Sequence, residues 1–171
     1  RQPMARIKTE LLQKGWEHAY DKEDWQPPLG MALEGVTEEQ ADWRPPGEAG
    51  NTIRENVHHL IFYKERFLNK WYGVETPAQP RISNTDTFQP AVNGAEGEAW
   101  EATKKRLAEA HAKIGFIIEA MDDAVYDKDV VKDSPAGPWL TSLYVHDAYH
   151  CGQIILLRKL QGSWSPTRSF D

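Results

Sequence analysis

Residues 145–160 read VHDAYHCGQIILLRKL, and their apolar side chains recur at the spacing of an α-helix. His146 and His150 lie four residues apart on the apolar stripe of this helix, so both are expected to be buried. Two imidazoles at positions i and i+4 can bind one metal ion from a single helix face. The alternative is a pair of core histidines that are hydrogen-bonded to their neighbours. The stripe comprises Leu143, His146, His150, Ile154 and Leu157.

A third ligand is available on a second amphipathic segment, residues 51–72, which read NTIRENVHHLIFYKERFLNKWY. This segment offers two adjacent candidates, His58 and His59. His59 lies beside Leu60 and Tyr63 on the helix surface, whereas His58 lies on the side of Arg54, Phe62 and Glu65. Helical spacing alone leaves both histidines open as ligands.

Composition excludes several classes of protein. The chain of 171 residues carries a net charge of -6, and its excess acidic residues are scattered, which argues against nucleic-acid binding. A single cysteine, Cys151, excludes an internal disulfide framework and suits a reducing cytoplasm. No apolar run approaches the roughly 18 residues of a membrane span. Residues 1–3 precede Met4, and we interpret them as a remnant of expression or an altered N-terminus.

Helical periodicity dominates the chain, and no run of alternating strand residues is evident. The pattern predicts a single all-α domain over residues 1–171, an antiparallel up-down four-helix bundle with long irregular loops. Residues 162–171 are expected to leave the bundle as a tail. The long helices are predicted at about 4–20, 52–72, 100–121 and from about 139, with irregular connections at 36–50, 73–92 and 122–138.

The up-down topology predicts which loops lie over the histidines. If the second and fourth long helices are parallel, their histidines lie at one level, and the loops 36–50 and 122–138 cover them. The connection 73–92 then belongs at the opposite end. The candidate pocket residues are Trp43, Arg44, Tyr126 and Trp139. Arg44 is the best candidate to bind an anionic substrate group, although each of the four could instead be a loop anchor.

Three segments, in order and spacing, resemble the DinB-like (DinB/YfiT-like) superfamily of metal-binding four-helix bundles. They are ALEGVTEEQADWRPP at 32–46, NTIRENVHHLIFYKE at 51–65 and LYVHDAYHCGQIILLRKL at 143–160. The last is the most specific, because its His-x3-His is followed by Gly152 and Gln153. The resemblance implies that the His directly before Leu60, which is His59, completes the metal site with His146 and His150, with His58 as the alternative.

The resemblance further implies a divalent metal ion, often zinc or nickel, held by three histidines with open coordination positions. It implies a thiol-dependent transferase that acts on a small molecule and uses a low-molecular-weight thiol. Three neutral imidazoles leave the charge of the metal uncompensated, so a thiol or a water molecule bound there becomes more acidic. Metal-dependent hydrolysis and a non-catalytic, metal-stabilised binding module are the alternatives. We also expect a cytoplasmic location and allow for a homodimer.

Three further residues near these motifs have predicted roles. Gln153 is expected to orient a metal ligand. Glu65 is a weak candidate for a catalytic acid or base and fits a surface charge better. Cys151 points about 100° around the helix from His150, so we interpret it as a small buried residue.

Overall fold

A computed structural model of the chain describes residues 5–76, 81–165 and 167. Residues 1–3, and the predicted tail beyond 165 except for 167, lie outside the described part. That part is mostly helical, as predicted. Its helices are α1 (Ile7–Tyr20), α2 (Leu29–Leu33), α3 (Glu38–Asp42), α4 (Ile53–Trp71), α5 (Trp100–Glu119), α6 (Asp123–Tyr126) and α7 (Ala136–Leu160). Two 3₁₀ turns, Thr85–Phe88 and Pro90–Asn93, precede α5, and strands β1 (Asp129–Val131) and β2 (Ser134–Pro135) precede α7.

Local sequence sets both ends of α4. The Thr52 hydroxyl accepts a hydrogen bond from the Glu55 amide at 3.0 Å, and the Thr52 amide donates to Glu55 Oε1 at 2.8 Å. This capping box satisfies two of the amides that a helix N-terminus leaves without partners. The helix ends before Gly73, whose φ of 65° is the left-handed conformation that glycine adopts readily.

The helices α4 and α7, which carry the histidines, run antiparallel. Asn56 contacts His150 at 2.8 Å, and farther along α4 the ring of Phe67 lies 5.1 Å from that of Trp139. Residue numbers on α7 fall as those of their contact partners on α4 rise. The predicted parallel arrangement of these two helices is therefore wrong.

The helices α4 and α5 run parallel instead. The guanidinium of Arg54 lies 5.6 Å from the ring of Trp100, and Arg106 donates to Glu65 at 2.7 Å. Consecutive parallel helices require a connection that returns along the length of the first helix, about 28 Å for 19 residues. The connection between α4 and α5, described at residues 72–76 and 81–99, has the length that this return requires.

The first helix completes the ring of four long helices. The chain direction of α1 opposes that of α5, because Arg6 donates to the Met121 carbonyl while Trp16 donates to the His111 carbonyl. The long helices therefore follow an up-down-down-up order, not the predicted up-down alternation. The hairpin of β1 and β2 was not predicted, because five strand residues are too few for a recognisable alternation.

Two apolar clusters form the core, one toward each end of the long helices. One contains Leu60 and Ile154, and the other contains Phe67 and Leu140. A layer of buried polar side chains from α4 and α7 adjoins these clusters: Asn56, His59, Lys64, Asp147 and His150. No helix in the described part of the chain has both the length and the apolar character needed to cross a bilayer.

Candidate metal centre

Three imidazoles from α4 and α7 converge in the polar layer. His146 Nε2 lies 2.9 Å from His59 Nε2 and 3.1 Å from His150 Nε2. Four tetrahedral ligands around a metal with bonds of 2.0–2.1 Å stand about 3.3 Å apart, close to these separations. All three candidate ligand nitrogens lie within 4.8 Å of one another, so they can share one ion at a common point. Within the described ranges, these three residues are the one group of at least three His, Cys, Asp or Glu with metal-binding spacing.

The hydrogen bonds of Asn56 set the tautomer of His150. The Asn56 amide nitrogen donates to the Thr52 carbonyl at 2.8 Å, so Asn56 Oδ1 is the atom that faces His150 Nδ1, also at 2.8 Å. Because an amide oxygen only accepts, His150 Nδ1 must carry the proton. The His150 Nε2 lone pair then points toward the other two histidines.

Thr87 sets the tautomer of His59 in the same way. The Thr87 hydroxyl donates to the Asn84 carbonyl at 2.6 Å. His59 Nδ1 lies 2.6 Å from the oxygen of that hydroxyl, Thr87 Oγ1. The hydroxyl proton is already used, so His59 Nδ1 donates and His59 Nε2 is left as a lone pair.

This arrangement suits a bound cation. With both tautomers fixed, a proton on His146 Nε2 can satisfy only one of the two facing lone pairs, those of His59 and His150. A single metal ion at the common point satisfies all three nitrogens, and each outer nitrogen that donates to a fixed oxygen increases the basicity of its ring. The residues present therefore fit a divalent metal ion.

Electrostatics keep the rings in the neutral form that binds metals. Burial, with a smaller effect of His150 and His146, lowers the pKa of His59 to about 3. Burial and His146 lower the pKa of His150 to about 4, against a hydrogen bond with Gln153 that raises it. Burial also lowers the pKa of His146. All three are thus neutral at pH 7, and protons compete weakly with a metal.

Aromatic side chains surround the imidazoles. Phe88 stacks on His59 with ring centroids 4.0 Å apart, and Tyr63 packs edge-on against His59 at 5.1 Å. Tyr149, an exposed residue, packs edge-on against His150 at 5.0 Å. His146 is only half-buried, which leaves the site a path to solvent.

A sequence model of the DinB superfamily matches residues 29–154, which include all three histidines of the cluster. The chain belongs to the DinB superfamily. The predicted resemblance is thereby confirmed. A comparison with curated proteins finds no match. The matched range extends from α2 to the last third of α7, so it covers the helices that supply the imidazoles of this DinB-superfamily site.

The structure separates the two adjacent histidines of α4. His59 joins the cluster, whereas His58 faces Asn93, whose side chain donates to the His58 carbonyl at 2.9 Å. His58 is buried, and its Nε2 has no hydrogen-bond partner among the described residues. Its burial lowers its pKa.

The predicted loops over the site are wrong. Thr87 and Phe88, from the connection 73–92 that was assigned to the opposite end, cover His59. The reason is the chain direction: the return from α4 to α5 passes across α4 at the level of its second and third turns.

The four predicted pocket residues lie elsewhere, near the two ends of α4. Arg44 pairs with Glu55 at 3.0 Å, so its charge is already compensated near the start of α4. Trp43 packs on the apolar cluster that contains Leu60. At the other end of α4, Trp139 packs on Phe67, and Tyr126 packs against Gly137. These positions follow from the antiparallel α4 and α7, which separate the two loops that were expected to meet.

The other predicted residues have definite partners. Gln153 lies close enough to His150 to oppose the lowering of its pKa. Glu65 accepts two hydrogen bonds of 2.7 Å from Arg106 on α5. Cys151 is buried and contacts the Pro27 carbonyl at 3.3 Å, and burial raises the pKa of its thiol to about 12. An un-ionised thiol without access to the site does not suit a nucleophile.

Sequence reasoning did not identify Asn56 and Thr87, the two residues that orient the rings. Asn56 could have been found, because it lies three residues before His59 as a polar residue on the inner face of α4. Thr87 gave no signal, since it lies in a connection without periodicity.

Proposed function

We propose that this chain binds one divalent metal ion through His59, His146 and His150 and acts as an enzyme that transfers a small thiol to an electrophilic substrate. The observation that carries the proposal is the convergence of three imidazole nitrogens, two of which are fixed as lone pairs by Asn56 and Thr87. Imidazole ligands suit zinc and nickel, which are the metals we expect.

The number of ligands favours a catalytic role. Structural zinc sites have four protein ligands, whereas catalytic sites keep a position open for water or substrate. In the part of the chain that the structure describes, the group of candidate ligands has three members. The half-buried position of His146 supports access to that open position from solvent.

When bound, a divalent ion would act as a Lewis acid that lowers the pKa of a thiol or a water molecule in its open position. The protein residues would supply the surroundings. Asn56 and Thr87 hold the rings of His150 and His59 in orientation. Phe88 and Tyr63 exclude water from one side of the site, which strengthens electrostatic interactions within it.

The choice of a thiol rests on the superfamily and on the properties of Cys151. The chain's own thiol is buried and its pKa is raised, so a sulfur nucleophile would have to come from a second small molecule.

The proposal is tested by incubating zinc- and nickel-loaded protein with epoxides, alkyl halides and unsaturated ketones in the presence of a panel of cellular thiols. Mass spectrometry follows the thioether product, and His150→Ala serves as the control. We expect turnover that requires both metal and thiol and is lost in the control. Turnover without thiol would contradict the proposal and indicate metal-dependent hydrolysis. No turnover from metal-loaded protein across the panel would contradict it in favour of a binding module.

A further inference from the structure

The apolar residues of α7 do not by themselves determine which face of the helix is buried. Leu140 and Ile154 are fully buried, yet Val145, Tyr149 and Leu156 expose 56%, 62% and 55% of their surface. Rotation of α7 about its axis would exchange one set of apolar side chains for the other. Hydrophobic burial is non-directional, so it discriminates weakly between the different rotational settings of α7 about its axis.

One buried ion pair does discriminate between them. The Lys64 ammonium of α4 contacts the Asp147 carboxylate of α7, and each side chain is only 1% exposed. A rotation that removes Asp147 from the core would leave the Lys64 charge buried without a partner, which is strongly unfavourable.

The ion pair is linked to the remaining long helices. Lys64 Nζ lies 4.7 Å from the ring of Trp16 on α1, and the Trp16 indole donates to the His111 carbonyl of α5 at 3.2 Å. The position of Lys64 is thereby fixed relative to the whole ring of helices.

Asp147 lies between the two histidines of α7, one residue after His146 and three before His150. Successive residues of a helix are about 100° apart, so the direction of Asp147 determines the directions of both imidazoles. We propose that Lys64 and Asp147 are positioning residues, whose ion pair selects the rotational setting of α7 and so directs His146 and His150 at His59. The consequence for metal affinity rests on the proposed function, whereas the setting of α7 does not.

The native Cys151 provides a reporter of this setting that requires no metal. It lies one helical turn after Asp147 on the same face of α7 and is 3% exposed. A rotation that moves Asp147 outward would also expose the thiol. Because Cys151 is the one cysteine of the chain, its alkylation rate reports on α7 alone.

The test replaces the pair by apolar side chains of similar size, Lys64→Met with Asp147→Leu, in the full chain. Such replacements commonly preserve folding, because they remove both buried charges. In chelator, we expect this double variant to unfold cooperatively. We expect N-ethylmaleimide to alkylate its Cys151 at least about 10-fold faster than that of the unmodified chain. We expect zinc affinity to fall about 10- to 100-fold, with altered visible bands of the cobalt-substituted site.

Two further variants make the test specific. Glu65→Leu with Arg106→Met removes an ion pair between α4 and α5 and should change neither alkylation nor zinc affinity. Lys64→Gln with Asp147→Asn keeps a buried polar pair and should restore slow alkylation.

Unchanged alkylation in the variant that combines Lys64→Met with Asp147→Leu, the Met/Leu variant, would overturn the inference. A Met/Leu variant that does not fold would overturn it too, because the pair would then maintain the fold itself. An unmodified chain that binds no zinc would instead count against the proposed function, while alkylation still tests the setting of α7.

Discussion

At the scale of single residues, one hydroxyl group and one amide group orient the rings of His59 and His150. Each ring must direct its Nε2 atom toward the common point. Thr87 is the sharper of the two to test, because Thr87→Val keeps the shape of the side chain and removes only the oxygen that accepts from His59. Groups that orient metal ligands typically account for 10- to 100-fold in affinity, so we predict a loss of about that size for zinc. The measurement is competition with a chromophoric chelator.

Thr103→Val is the matched control for Thr87→Val. Thr103 is equally buried and its hydroxyl donates to Glu98 at 2.8 Å, on α5 and away from the three imidazoles. It should leave zinc affinity unchanged. Equal affinities in the two variants would show that Thr87 does not orient His59.

The adjacent histidines of α4 give a second prediction. His59→Ala should abolish tight zinc binding, because it removes a ligand, whereas His58→Ala should have a modest effect. Both side chains are buried, so both variants are expected to lose some stability, and only zinc titration distinguishes them. Tighter binding by His59→Ala than by His58→Ala would reverse the assignment.

Helical spacing was sufficient to find the histidines, since the i, i+4 pair and its position on an apolar stripe depend only on local structure. The roles of Asn56 and Thr87 depend on contacts between segments. Thr87 reaches His59 only because the connection 72–99 crosses α4, and that path depends on how the long helices are ordered.

At the scale of elements, helical spacing predicts that the three histidines lie together even when α7 is given the wrong direction relative to α4. His146 and His150 lie on either side of the midpoint of the 25-residue α7, so they come level with His59 whichever way that helix runs. The positions of residues at helix ends, by contrast, depend on the direction in which the helix runs. Trp43 and Trp139 were therefore assigned to one end of the molecule although they lie near opposite ends of α4.

The close approach of α1 and α7 gives a prediction about stability. At Gly15, an added Cβ would lie 2.5 Å from Cζ of Tyr144, closer than packed atoms allow. Gly15→Ala should therefore lower the free energy of unfolding by about 1–3 kcal/mol through overpacking, as measured by urea denaturation.

Gly152→Ala is the matched control, because an added Cβ there has no atom within 4 Å. Alanine in an exposed helix interior is favoured over glycine, so this variant should be more stable by roughly 0.5–1 kcal/mol. If Gly15→Ala were as stable as Gly152→Ala, the Tyr144 ring would not be held against Gly15 and the predicted overpacking would be contradicted.

At the scale of the whole molecule, four buried histidines and the half-buried His146 connect stability to pH. Burial is the main cause that lowers the pKa of each one, and the list is His58, His59, His111, His146 and His150. The unfolded chain, in which histidine has a pKa of about 6.5, then binds more protons than the native state below that pH. The stability of metal-free protein is thus fully present above pH 6.5 and is lost as pH falls toward the lower native values.

We predict that the free energy of unfolding in chelator decreases steadily from pH 7 to pH 5, with each histidine contributing up to about 1.4 kcal/mol per pH unit. Urea denaturation across this range measures it. An unfolding free energy that stays constant from pH 7 to pH 5 would contradict the lowered pKa values, because it would mean that these histidines bind equal numbers of protons in the native and unfolded states.

The class of the whole molecule followed from periodicity, but its topology did not. Amphipathic patterns identify helices and their inner faces, and these were sufficient for α1, α4, α5 and α7. The order in which the helices neighbour one another is set by contacts between distant residues, such as Glu65 with Arg106. The length of the connection 73–92 was the available signal, because antiparallel neighbours need only short loops.

The measurement that tests the central claim most directly is the thermal unfolding midpoint of the protein as a function of zinc concentration. A metal bound only to the native state at 100 times its dissociation constant adds about 2.7 kcal/mol, or roughly 5–10 °C for a chain of this size. We predict a rise of this order for the unmodified chain and none for a variant in which His59, His146 and His150 are all alanine. Equal midpoints with and without zinc in the unmodified chain would contradict a metal site at these three histidines.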